Sequence, residues 1–110
     1  MKLVFAVVQD DDCADLTDAL MDNDFHMTKL NSTGAFLGNR NVTLMIGTED
    51  ERVEELMALI KEHCHSREEI IAGGITSRVT GALHHQGYPL KIKVGGAIVF
   101  VTDVERFEKL

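Results

Sequence analysis

The sequence predicts an α+β fold of the ferredoxin-like type, βαββαβ with an extra C-terminal strand. Three observations predict it. Short apolar runs of strand length open and close the chain, LVFAVV and AIVFV. Two longer segments carry apolar residues at helical spacing, and each follows a strand-like run. At 110 residues the chain is of one-domain length. Such a chain buries about two-thirds of its unfolded surface and needs no metal or disulfide staple.

The elements follow in order. Leu3 to Val8 is almost continuously apolar, the pattern of a strand covered on both faces. Gln9 and three aspartates stop it, and Asp11 or Asp12 suits a helix N-cap. Cys13, Leu16, Ala19 and Leu20 form one stripe at helical spacing, which Asn23-Asp24 ends. Phe25 to Leu30 reads as a second strand and Val42 to Ile46 as a third, closed by Gly47. A long loop at about 32–41 joins them. Thr48 to Ser66 is the clearest helix. Thr48 and Glu51 fit a capping box, and Val53, Leu56, Met57, Ile60 and Cys64 make its buried stripe. Lys61 and His63 lie where the helix dipole favours positive charge. The glycine-rich stretch at 66–88 reads as a second long loop, in which Ser66, Glu68 and Glu69 offer the start of a short helix. Pro89 opens a further strand, with Leu90, Ile92 and Val94 on one side and Lys91 and Lys93 on the other. Gly95-Gly96 turns the chain, and Ala97 to Val101 returns.

Two helices cover only one face of such a sheet. The apolar runs are greasy on both, and large exposed apolar patches are rare. The sequence therefore predicts a homo-oligomer closed through the second face.

Charge narrows the partners. Eighteen acidic residues against eleven basic ones give a net charge of −7, with no run of Lys or Arg. A nucleic-acid polymer needs a basic stripe to displace counterions, so none is expected. A small anion remains compatible, because backbone N–H groups hold phosphate without net charge. No run reaches the roughly 18 apolar residues of a membrane span, and the first residues read as a strand instead of a leader. Cys13 and Cys64 stand apart with no CxxC, the usage of reduced cytoplasmic thiols.

Catalysis finds little support. Acid–base chemistry needs two carboxylates in one cleft, and Asp10 to Asp12 sit where a helix start belongs. Cys64 lies on a buried stripe, as a core thiol does. His63, His65, His84 and His85 are ligand-type residues, but their spacing matches no standard zinc pattern. No enzyme, metal or cofactor is expected. The loop STGAFLGN is more informative. Ser32 and Thr33 offer hydroxyls, Gly34 admits close backbone approach, Asn39 and Asn41 offer amides, and Phe36 offers a face for stacking on a nucleobase. A plain hairpin turn whose Phe36 packs on a neighbouring subunit fits the same residues, and they leave both readings open.

The segments FAVVQDDD, TKLNSTGAFL, NVTLMIGTEDERVEE, SREE and YPLKIKVGGAIVFVTDVERFE, in this order, resemble the cyclic di-AMP receptors of the PII-like signalling family. The resemblance runs nearly end to end and is weakest over 70–87. It implies a ferredoxin-like subunit, a homotrimer, cyclic di-AMP held in clefts between subunits, and a signalling role without catalysis. It also implies that the long loops move on binding and present a surface to a downstream protein. By the same resemblance, Thr28 bonds phosphate or ribose, Phe36 and Leu37 pack on adenine, Asn41 makes a polar contact and Gly47 allows close approach. The backbone of Gly34 and Ala35 supplies N–H donors, Ala35 standing where the family usually has glycine. Asp24 and His26 stand where the family has Asn and Arg. An ionised Asp only accepts hydrogen bonds, which suits an adenine amino group, and neutral His lacks the permanent charge of Arg. Two other outcomes follow from those replacements and from the histidines: a PII-like trimer binding another adenine nucleotide, or a trimeric metal-binding protein of related topology.

Overall fold

The computed structural model describes residues 1–31, 41–71 and 90–110. Its elements are β1 (Lys2–Gln9), α1 (Asp10–Asp22), β2 (His26–Asn31), β3 (Asn41–Thr48), a single 3₁₀ turn (Asp50–Arg52), α2 (Val53–Cys64), β4 (Arg67–Ile71), β5 (Leu90–Val94) and β6 (Ala97–Asp103). Four strands form one antiparallel sheet in the order β2-β3-β1-β6, and β4 and β5 form a separate two-stranded ribbon. The order places β3 between β1 and β2, a split βαβ unit compatible with a ferredoxin-like fold.

Strand alternation sorts the sheet into two faces. Val4, Ala6 and Val8 of β1 pair with Val101, Val99 and Ala97 of β6, and with Ile46, Leu44 and Val42 of β3. The β1 and β3 residues of this set are buried and pack with Cys13, Leu16 and Leu20 of α1 and with Leu56, Ile60 and Cys64 of α2. Both helices thus lie on one face. The opposite face carries Leu3, Phe5, Leu30, Met45, Ile98 and Phe100, and Phe100 is 51% exposed. Only toward Gln9 does that face become buried.

Several local expectations are corrected. Neither Asp11 nor Asp12 caps α1. The strand runs straight into the helix through Gln9, which makes no side-chain cap. Asp12 instead is buried and pairs through Oδ1 with Arg67 Nη2 at 3.1 Å, which joins the ribbon to the first helical turn. Thr48 makes no capping box, because it ends β3 and Glu49 precedes the 3₁₀ turn without a side-chain cap. Val53 and Met57 are half-buried, so the α2 stripe is Leu56, Ile60 and Cys64, with Leu59 packed beside it. The second long loop does not start at Ser66. Arg67–Ile71 is a strand, paired residue for residue with Leu90–Val94. Gly95-Gly96 therefore closes no hairpin between β5 and β6. It carries the chain from the ribbon to the main sheet, where β6 pairs with β1 and supplies the fourth strand. The added elements are β4 and β5, inserted before that strand.

The end of α1 has a specific chemistry. Phe25 N–H bonds Leu20 C=O at 2.8 Å and Asp24 N–H bonds Met21 C=O at 3.1 Å. This is the paired pattern of a Schellman cap, with Asp24 in the left-handed conformation at φ +63°. The accompanying apolar contact is present too, since Phe25 and Leu20 are both buried in the core. Arg52 secures the arrangement. Its guanidinium lies 4.0 Å from the Phe25 ring centre, donates to Asn23 C=O at 2.7 Å, and pairs with Glu55.

Candidate functional site

The register of β2 on β3 builds the site. His26 pairs with Gly47 and Thr28 with Met45, so these side chains share the face away from the helices. Period-two alternation gives that result directly, since Met27 between them points to the core. His26, Thr28 and Gly47 line one groove of about 360 Å³. Leu3 and Met45 form its apolar floor, and Val104 and Phe107 from the segment after β6 form a further wall. His26 and Thr28 are both exposed, so an imidazole and a hydroxyl stand free at the rim of an apolar depression. That is the composition of a small-molecule site: mostly apolar, with a few polar groups that fix orientation.

Gly47 matters here for its missing side chain. A Cβ placed on it meets only Met1 Cε, at 3.4 Å, an ordinary contact. Packing within the subunit does not demand glycine. Its effect is to leave the groove open at the position facing His26.

The other expected residues lie elsewhere. Asp24 is not among the groove-lining residues; it terminates α1. Asn41 opens β3 at the far end of the strand, buried and in register with Gln9. Gly34, Ala35, Phe36 and Leu37 lie outside the described residues, as do His84 and His85. Leu3, Met45, Val104 and Phe107 were not singled out in the sequence. The first two sit on the strands in a register that alternation alone does not align. The last two have no periodic signal.

The two cysteines are structural. Cys64 is buried, and burial pushes its thiol up to about 12, with the nearby Asp12 charge adding to the effect. Burial likewise raises Cys13. Both thiols stay protonated and packed in the core, which is the opposite of what a nucleophile needs. Among the described residues, no three His, Cys, Asp or Glu side chains converge on a metal-sized space, and no helix is long and apolar enough to cross a membrane.

A solved structure of a functionally unknown protein from Pediococcus pentosaceus ATCC 25745 is similar, with 43% identity and a TM-score of 0.77 over 99% of this chain and 96% of that one. A family model described as cyclic-di-AMP receptor matches residues 1–110. That family is one of binding and signalling. With the match spanning the whole length, the chain belongs to the cyclic-di-AMP receptor family.

Proposed function

We propose that this protein is a cytoplasmic, PII-like homotrimer that binds cyclic di-AMP at the seams between subunits and relays binding by moving its long loops toward a downstream protein. The convergence of His26, Thr28 and Gly47 on one groove, beside an oily sheet face that neither helix covers, carries this reading. Thr28 bonds phosphate or ribose, and His26 adds a donor at the rim. Phe36 and Leu37 pack on adenine, the Gly34–Ala35 backbone and Asn41 make polar contacts, and Asp24 accepts from an adenine amino group. No catalytic step is involved, and no cofactor beyond the ligand.

Calorimetric titration of the purified protein with cyclic di-AMP, with its mass measured by sedimentation in the same sample, tests this. Saturable binding by a trimer is expected. Phe36→Ala should weaken it while leaving the unfolding temperature in place. A trimer that takes up no cyclic di-AMP removes the ligand from the proposal, and a lone subunit at micromolar concentration removes the site.

One observation favours a second reading. The groove of about 360 Å³ lies near the lower end of the roughly 300–1,000 Å³ typical of small-molecule sites, a size that suits an adenine mononucleotide held by one subunit. A thermal-shift screen of several nucleotides separates the two. Stabilisation by a mononucleotide alone supports this second reading.

A further inference from the structure

Phe107 lies in the segment after β6, among residues with no helix or strand of their own. The position of that segment is nevertheless specified. Lys2 pairs with Asp103, the last residue of β6. The Val104 N–H then donates to Met1 C=O at 3.1 Å, so the chain leaving the sheet stays beside the start of β1. Phe107 is carried from there onto the wall of the groove that holds His26, Thr28 and Gly47. Arg106 and Glu108, on either side of it, pair with each other at 2.7 Å and leave the ring as the apolar member of the stretch. The ring is 64% exposed. A phenyl face this open on the wall of an apolar groove is available for a planar group to lie on.

We propose that Phe107 is the base-stacking wall of this site: its ring takes one face of an adenine while Thr28 and His26 hold the sugar and phosphate. The inference rests on the nucleotide-receptor reading above. A purine suits the geometry because aromatic stacking requires only a planar face, and the groove places that face beside a hydroxyl and an imidazole able to bond the attached sugar-phosphate. The C-terminal segment is then part of the binding machinery.

The chain contains no tryptophan, so Phe107→Trp introduces a single indole at the groove. Titration with cyclic di-AMP should quench its emission saturably, at the stoichiometry calorimetry gives, with affinity within a few fold of the parent. Phe107→Ala should bind roughly tenfold or more weakly, as expected for the loss of one base–aromatic stack, with the assembly mass unchanged. Indole emission that stays constant while calorimetry shows saturation overturns the proposal. So does full affinity in Phe107→Ala, or loss of affinity that only accompanies dissociation into single subunits, which makes Phe107 an interface residue. A parent protein that binds no nucleotide defeats the receptor reading and this inference together. Failure confined to the two variants defeats this inference alone.

Discussion

The backbone N–H of Gly95 donates to the side-chain oxygen of Gln9 at 2.6 Å in a buried setting. Gln9 ends β1 and stands in register with Asn41, where the chain re-enters the sheet at β3. Gly95 follows β5. One side chain thus joins the root of the ribbon to the end of the main sheet, beside the pair of buried Asp12 with half-buried Arg67.

Glycine is required at that joint. Gly95 has φ +79°, and a Cβ there would sit 2.5 Å from the His65 carbonyl oxygen and 2.3 Å from Arg67 Nη1. The guanidinium can swing aside, whereas the carbonyl is backbone and cannot. Gly95→Ala is expected to lower stability by about 2 kcal/mol or more, from left-handed strain plus the clash. That corresponds to roughly 10 °C in Tm for a chain of this size. Scanning calorimetry checks it, and a variant melting with the parent would show that the joint relaxes freely.

Asp24 offers the opposite change. It pays for a left-handed conformation, at φ +63°, that costs a side-chain-bearing residue roughly 1–2 kcal/mol. Glycine removes that cost but adds about 0.5–1 kcal/mol of unfolded-chain entropy. Asp24→Gly should therefore raise Tm by a few degrees, while Asp24→Ala, which keeps the left-handed strain and loses the carboxylate's attraction for Arg52, should lower it. The same two proteins report on the ligand. Unchanged cyclic di-AMP affinity in Asp24→Gly assigns Asp24 to the helix cap alone, and a tenfold loss keeps it in the site.

The legible and illegible parts of this molecule divide on physical grounds. β1 and β3 are legible as apolar runs of strand length and the helices as stripes at helical spacing, because all four meet in one core, although Val53 and Met57 of the second stripe stand half-buried. Strand period also put His26 and Thr28 on one face. The strand Arg67–Ile71 was not readable: its partner Leu90–Val94 lies across residues 72–89, and the first half of REEII is charged. Gly95-Gly96 looked like a hairpin turn, and both glycines do have the positive φ of such turns. Their flanking strands nevertheless go to different sheets, a choice made by long-range pairing. Asp12 looked like a cap because acidic residues favour helix starts, yet burial beside Arg67 set its role. Phe107 follows Val104, whose backbone N–H bonds the Met1 carbonyl beside the groove, a long-range pairing that no local pattern reports.

Cys64 should make the protein sensitive to alkali. Burial pushes its thiol up to about 12, with Asp12 adding to the effect. In the unfolded chain a thiol titrates near about 8.5. Above that pH the unfolded chain releases this proton while the folded one keeps it, so the unfolded state binds fewer protons and stability falls as pH rises. The loss runs from about pH 8.5 to about 12, at up to roughly 1.4 kcal/mol per pH unit. Urea unfolding at about pH 8 and about pH 10 should show a steeper decline for the parent than for Cys64→Ala. Comparing slopes cancels the cavity that the substitution leaves. Equal slopes would mean that the thiol is solvated in the folded protein.

Phe5 and Phe100 face each other across β1 and β6 on the side of the sheet opposite the helices. Phe100 is 51% exposed, and it does not belong to the buried cluster that holds the helices on the sheet. Phe100→Glu should therefore leave the subunit folded, with an unchanged circular dichroism spectrum. At a contact between copies the same change places one carboxylate per subunit in an apolar seam, where an unpaired charge costs several kcal/mol. Association should be lost at micromolar concentration, and sedimentation measures this directly. If the nucleotide lies in the seam, its affinity should fall at least tenfold in the same variant, because the second wall of the cleft is gone. A Phe100→Glu protein that sediments with the parent would place the contact on another surface. One that dissociates yet binds cyclic di-AMP normally would locate the whole site within a single subunit, at the groove of His26, Thr28 and Gly47.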